Sequence, residues 1–100
     1  PMADQIRAAH ILISTDRRDK AEALEVITAL KADIDGGAEF AEKAQEASDC
    51  PSGTRGGDLG MFGKGMMVPE FEQAAFALEP NGLSDVVETD FGYHLIMRTE

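Results

Sequence analysis

Two histidines and one cysteine are the side chains of this 100-residue protein whose types most invite chemistry. His10 lies in the run Ile6-Arg7-Ala8-Ala9-His10-Ile11-Leu12-Ile13-Ser14, and His94 in Tyr93-His94-Leu95-Ile96. Both are short, apolar, β-branched stretches that read as strands. A neutral imidazole has one donor and one acceptor nitrogen, so two imidazoles on neighbouring strands can satisfy each other through one hydrogen bond that fixes both tautomers. Such a pair serves either as a structural element of a sheet or as the polar part of a site. Cys50 stands in Ser48-Asp49-Cys50-Pro51-Ser52-Gly53, between a helical pattern and a glycine-rich loop. There a thiol is either an inert small hydrophobe or a partly exposed reactive group. Cysteine with two histidines also raises zinc, but Cys50 is about forty residues from either imidazole and no Cys-x-x-Cys or His-x-x-x-His pair occurs, so no metal is expected.

The glycines of Gly56-Gly57-Asp58-Leu59-Gly60, with Gly63 and Gly65, suggest a phosphate loop. The loop lacks a Gly-Lys-Ser/Thr ending and a following helix N-terminus, and Asp58 sits where an anion would have to lie. Close backbone packing accounts for them better. Met61, Met66, Met67, Phe62 and Phe71 beside this loop form either core or a shallow pocket for an apolar side chain.

The elements that must position these residues follow from periodicity. Alternation along the first strand puts Ala8, His10, Leu12 and Ser14 on one face. A helix capped by Asp16 carries Ala23, Leu24, Ile27, Leu30 and Ile34 on one side and stops at Gly36-Gly37. A shorter helix repeats Phe40, Ala44 and Ala47. Turn residues then dominate from Ser48 to Gly65, with a short strand near Leu59 to Phe62. Pro69 opens a third helix lined by Phe71, Ala75 and Leu78 and stopped by Pro80-Asn81-Gly82. Two strands, Asp85 to Glu88 and Tyr93 to Arg98, are joined by a turn around Asp90 to Gly92. The order strand, helix, helix, strand, helix, strand, strand indicates an α+β domain with a mainly antiparallel sheet.

Composition bounds the function. With 43% hydrophobic residues the chain has material for one core, hence one domain over residues 1–100. Nineteen acidic residues against nine basic give a net charge of −10, which disfavours nucleic acid and anionic membranes as partners. A single cysteine fits a reducing compartment, so the cytoplasm is expected. No apolar run reaches the roughly 18 residues of a membrane span, and the start lacks the pattern of a signal peptide. Pro1 before Met2 reads as a cloning remnant.

Taken together, four ordered blocks resemble the parvulin family of peptidyl-prolyl cis/trans isomerases. They are His10-Ile11-Leu12-Ile13; Ser48-Asp49-Cys50-Pro51-Ser52 with Arg55-Gly56-Gly57-Asp58-Leu59-Gly60-Met61-Phe62; Gly65-Met66-Met67-Val68-Pro69-Glu70-Phe71-Glu72 with Ala74-Ala75-Phe76-Ala77-Leu78; and Thr89-Asp90-Phe91-Gly92-Tyr93-His94-Leu95-Ile96. The match runs from about Ile6 to Arg98. It implies a parvulin-like (FKBP-like) four-stranded antiparallel sheet surrounded by helices, with the site on its concave face. It implies that His10 and His94 are a central pair, that the Thr89 hydroxyl bonds into it, and that Cys50 stands above it where the family has cysteine or aspartate. Leu59, Met67 and Phe71 would floor a proline-ring pocket, with Phe62 and Phe91 at its rim.

The activity so implied is rotation of X-Pro bonds in polypeptide substrates by a monomer that needs no cofactor. Because the family admits aspartate at the Cys50 position, non-covalent catalysis is expected, with attack by Cys50 as the alternative. A peptide-binding, chaperone-like module with little turnover is the second functional class. Phosphorylation-directed members carry a lysine four residues beyond the first histidine and an arginine pair farther on; this chain has Ser14 there, and its Arg17-Arg18 comes early, between Asp16 and Asp19. That departure implies general or apolar residues before proline, with the arginine pair as a solvated helix start.

Overall fold

Along β1 (Gln5–Ser14) almost every side chain from Ile6 onward is covered, which is what an unbroken apolar run achieves when both faces of a strand are packed. The computed structural model describes residues 4–100, so Pro1 lies outside the described residues. After β1 come α1 (Lys20–Asp35), α2 (Phe40–Ala47), a 3₁₀ turn (Pro51–Arg55), β2 (Asp58–Gly63), α3 (Pro69–Phe76), β3 (Val87–Thr89) and β4 (Gly92–Arg98). The strands form one sheet in the order β2-β1-β4-β3, every neighbour antiparallel.

The sheet separates two apolar layers. On one face Ala9, Ile11 and Ile13 of β1 and Tyr93 and Leu95 of β4 meet Ala23, Ile27 and Leu30 of α1 and Phe40 and Ala44 of α2. On the other, Ile6 and Ala8, Phe62 of β2 and Ile96 of β4 meet Phe71 and Ala75 of α3. Strand parity therefore sends His10 and His94 to the α3 face. In the β1–β4 register His10 lies opposite Ile96 and His94 opposite Leu12, so the two imidazoles are diagonal neighbours.

Three boundaries differ from the periodicity. α1 begins at Lys20 with Asp19, not Asp16, as its N-cap, and the Asp19 carboxylate accepts from Glu22 N at 2.8 Å. The preceding loop is tied back to Ser14, whose hydroxyl accepts from Asp16 N and whose carbonyl accepts from Arg18, so the chain turns helical only after Arg18. α3 ends at Phe76 rather than at Pro80, because the Leu78 carbonyl accepts from Arg98 of β4 and Asn81 N donates to the Arg98 carbonyl. β3 starts at Val87 rather than Asp85, since Ser84 is drawn to Ile96 by hydrogen bonds from its backbone N–H and to its hydroxyl.

β2 carries a bulge. Ile6 pairs with Phe62 and Arg7 with Met61, but Ala9 pairs with Asp58, leaving one extra residue on β2 where Gly60 takes φ 74°. The bulge reverses parity, so Leu59 and Phe62 both pack into the α3-side layer. Just before β2, Gly57 lies against the backbone of His10: its carbonyl accepts from His10 N at 2.9 Å, its φ is 86°, and a Cβ there would come within 2.3 Å of the His10 oxygen. Gly57→Ala is expected to lower the unfolding free energy by at least about 2 kcal/mol through strain plus collision. Gly60→Ala, at φ 74° with nothing within 4 Å of its Cβ, should lose about 1 kcal/mol. Urea midpoints of the two variants check the contrast, and equal losses would refute it.

Candidate active site

On the α3 face a cleft of about 410 Å³ is lined by His10, Leu12, Cys50, Leu59, Met66, Met67, Val68, Phe71, Phe91 and His94. Its wall is almost wholly apolar. His10 and Leu12 come from the middle of β1, His94 from β4, Leu59 from the bulge, and Phe71 from the first turn of α3. A wider depression of about 630 Å³ opens beside Arg7, Phe40, Arg55 and Glu100. There Arg7 is taken up by Asp58 at 2.7 Å and Glu100 at 3.0 Å, and no histidine or cysteine faces it.

The floor of the cleft is a hydrogen-bonded chain. Thr89 Oγ1 lies 2.7 Å from His94 Nε2, and His94 Nδ1 lies 3.1 Å from His10 Nδ1. Thr89 is two residues beyond Val87, the β3 partner of His94, so parity points its hydroxyl to the same face. Phe91 N donates to Thr89 Oγ1 at 3.2 Å. With one hydroxyl lone pair so used, donation from Thr89 O–H to His94 Nε2 leaves the fewest groups unpaired. His94 Nδ1–H then donates to His10 Nδ1, and His10 carries its proton on Nε2. That nitrogen is buried and has no hydrogen-bond partner among the described residues. Phe71 stands edge-on to both imidazoles, at 5.5 Å from each, and closes the pair from the α3 side.

Burial lowers the pKa of His10 to about 4; His94 falls to about 4 through burial and then repulsion by His10. The pair is neutral at physiological pH, a polar but uncharged floor.

Cys50 is brought to the cleft wall, half-buried, and takes no part in the hydrogen-bonded chain of Thr89, His94 and His10. Its sulfur accepts from Ser52 Oγ at 3.2 Å, because the 3₁₀ turn that follows places that hydroxyl beneath it. Phe62 is not at the rim. It is 1% exposed and packs under Phe71 and Phe76, with ring centroids 6.2 and 6.0 Å away, because the β2 bulge turns it inward. Phe91, 59% exposed at the β3–β4 turn, does stand at the edge. Leu59, Met67 and Phe71 come together as expected. Met66, one of the Met-Phe cluster, lines the cleft too, whereas Leu12 and Val68 were absent from the expected lining. Leu12 shares the His10 face two residues on, a signal available from alternation alone; Val68 offered none. Of the arginine pair expected to be a solvated helix start, Arg17 is solvated, 71% exposed, whereas Arg18 is not, its Nη1 lying 2.6 Å from Asp49 Oδ2. No group of three or more His, Cys, Asp or Glu among the described residues is arranged to hold a metal, and no helix among them is long and apolar enough to cross a membrane.

Residues 10–100 match the Rotamase family, the PPIC-type PPIASE domain. The chain belongs to the parvulin family of peptidyl-prolyl cis/trans isomerases. Among curated parvulin relatives, the peptidyl-prolyl cis-trans isomerase Pin1 of Arabidopsis thaliana is 42% identical over 96% of this chain and 96% of its own length. Foldase protein PrsA of Geobacillus kaustophilus is 47% identical over 96% of this chain, which spans only 32% of that protein. The peptidyl-prolyl isomerase ESS1 from Candida albicans superposes with a TM-score of 0.90 at 35% identity, covering 97% of this chain and 63% of that one. The four-stranded antiparallel sheet with its helices is the parvulin fold, and the domain is a peptidyl-prolyl cis/trans isomerase.

Two outcomes follow from the parvulin floor. Between about pH 4 and 6.5 the unfolded chain binds protons that the folded imidazoles refuse, so stability rises with pH there and is lost as pH falls from 6.5 towards 4. Asp58, held at about 2 by Arg7, adds a further loss only at lower pH, as it becomes protonated. Urea midpoints should fall between pH 7 and 4.5, with both imidazole NMR signals constant down to pH 5; titration of either near 6.5 would refute neutrality. Thr89→Val keeps the shape but strips His94 Nε2 and Phe91 N–H of their partner. It should lower the unfolding free energy by about 1–3 kcal/mol, read from thermal melts, and reduce isomerase activity with it.

Proposed function

We propose that this domain rotates X-Pro bonds of polypeptides non-covalently and without requiring phosphorylation before the proline. The observation that carries the reading is an apolar cleft floored by a neutral imidazole pair. A prolyl bond turns over a barrier of about 18–20 kcal/mol set by amide resonance. Rotation breaks that resonance, giving a twisted, less polar carbonyl and a more pyramidal nitrogen. A cleft that fits the twisted ring better than either planar isomer lowers the barrier by differential binding. In this reading Leu59, Met67 and Phe71 seat the ring, Phe91 and Met66 flank it, and the chain Thr89–His94–His10 fixes the shape and polarity of the floor. Cys50 presents a weakly polar wall to the carbonyl.

Indifference to phosphate is supported by three features. Ser14, largely buried, stands where phosphorylation-directed relatives have lysine. Arg18 is occupied by Asp49. The net charge of −10 repels a dianion at long range. Arg17, 71% exposed and 3.7 Å from Asp49, is the one guanidinium of the pair directed to solvent. The lone reduced thiol supports a cytoplasmic setting, and we take residues 1–100 as one unit acting as a monomer. The second reading, a peptide-holding module, is favoured by the exposed Met66 and Phe91 and by the foldase relatives of which this chain spans about a third.

A protease-free isomerisation assay on peptides differing before proline tests these points. Leu, Ala or Arg should be preferred, and phosphoserine should lower kcat/KM; a phosphoserine peptide turned over several-fold faster would overturn the specificity. Cys50→Asp should keep much of the activity and Cys50→Ala lose it modestly, whereas a nearly dead Cys50→Asp would establish covalent attack. Binding without acceleration of any peptide would favour the holding module.

A further inference from the structure

Beyond His10 the outer edge of β1 has no strand beside it, because β2 stops pairing at the Ala9–Asp58 match. The segment Ser48–Cys50 takes that place. Leu12 N donates to Ser48 Oγ at 3.1 Å, Asp49 N to the Leu12 carbonyl at 2.7 Å, and Ser14 N to Asp49 Oδ2 at 2.8 Å. Ser48 Oγ also accepts from Cys50 N at 3.3 Å, so the cysteine hangs from this docked segment. The Asp49 side chain, 9% exposed, receives Arg18 Nη1 at 2.6 Å, and the same nitrogen donates to the Ser14 carbonyl at 2.9 Å. Thr15 N, next in the loop, donates to the Phe91 carbonyl at 3.2 Å. Residues 14–18 thus join the two sides of the cleft mouth, Cys50 on one and Phe91 on the other.

We propose that Arg18 and Asp49 are positioning residues of the isomerase, their ion pair tying segment 48–50 to the loop 14–18 that holds the Phe91 turn and so setting the separation of Cys50 and Phe91 across the mouth. Neither is itself among the residues that line the cleft. The pair is coupled to position because a buried carboxylate without its cation cannot stay buried: burial opposes the charge on Asp49, while Arg18, the Ser14 N–H and Arg17 outweigh it and hold the carboxyl ionised below its ordinary range. Removing the guanidinium makes segment 48–50 swing out to hydrate Asp49, and Cys50 moves with it. The activity side of the proposal rests on the cleft being the prolyl site; the geometric side does not.

The test compares Arg18→Met, which keeps the stem and loses the charge, with Arg18→Lys, which restores a cation. Two quantities are read well below each variant's melting temperature: kcat/KM on a Leu-Pro peptide, and the rate at which Cys50 reacts with an aromatic disulfide. Arg18→Met should lower kcat/KM about fivefold or more and speed thiol labelling by a similar factor, while Arg18→Lys stays within about twofold of the parent on both. A merely stabilising role would shift melting without changing the labelling rate of the folded state. Both quantities unchanged in Arg18→Met, or changed equally in Arg18→Lys, would overturn the proposal. If Arg18→Met does not fold, Arg18→Gln, which also removes the cation and leaves the Asp49 carboxylate without it, carries the same expectation. A parent protein inactive on every peptide would refute the prolyl reading alone, and the labelling comparison would still decide the clasp.

Discussion

One shared proton between His10 Nδ1 and His94 Nδ1 constrains more of this molecule than any other contact. Two imidazoles can meet head to head through a hydrogen bond only if exactly one of the facing nitrogens carries hydrogen, so the two rings cannot both be charged. The pair stays neutral because the sheet above and Phe71 below keep water out. That arrangement in turn requires β1 and β4 to be adjacent, antiparallel and in a register that puts His94 opposite Leu12. A slip of one residue would turn the histidines to opposite faces and send Ile11 or Leu95 into the cleft. Fold and site are therefore specified by the same pairing.

This shared specification explains what could be read before the structure. The two histidines sit in runs whose alternation fixes their face, and α+β order with terminal strands as neighbours follows from element lengths and turn residues. Gly57 was visible as close packing and the Met-Phe cluster as apolar surface, without their partners, whereas Gly60 serves a left-handed bulge with open space at its Cβ. What escaped was set by tertiary contacts between segments far apart in sequence. Asp16 and Asp19 are equally good N-caps by type; a tether from Arg18 to Ser14 decides for Asp19. Phe62 is aromatic beside a predicted pocket, and only the bulge at Gly60 says which way it points. The 3₁₀ turn at Pro51–Arg55 was hidden among residues that signal turns of any kind.

The arginines show the same limit with a functional consequence. Read along the chain, Arg17-Arg18 between two aspartates is a charge cluster at a helix start. In three dimensions the decisive acid is Asp49, thirty-one residues from Arg18, and the pair it forms closes the open edge of β1. An unpaired strand edge exposes N–H and C=O groups that must be satisfied. Here side-chain oxygens of Ser48 and Asp49 accept from the N–H groups of Leu12 and Ser14, and the Asp49 N–H donates to the Leu12 carbonyl, where a further strand would otherwise be needed.

The direction of the imidazoles also bears on why a cleft containing cysteine and histidine suits bond rotation rather than bond cleavage. A thiol becomes a strong nucleophile when a neighbouring base takes its proton. Both Nδ1 atoms are turned on each other, His94 Nε2 is held by Thr89, and Cys50 bonds to Ser52 instead of to either ring. With pKa values near 4 the imidazoles are also weak bases. The thiol thus has no hydrogen bond to either imidazole at the wall of an apolar pocket. On the non-covalent reading proposed above, a peptide carbonyl arriving there would meet a surface that accommodates twisting without a paired nucleophile and base to attack it, the separation of functions that isomerisation without hydrolysis requires.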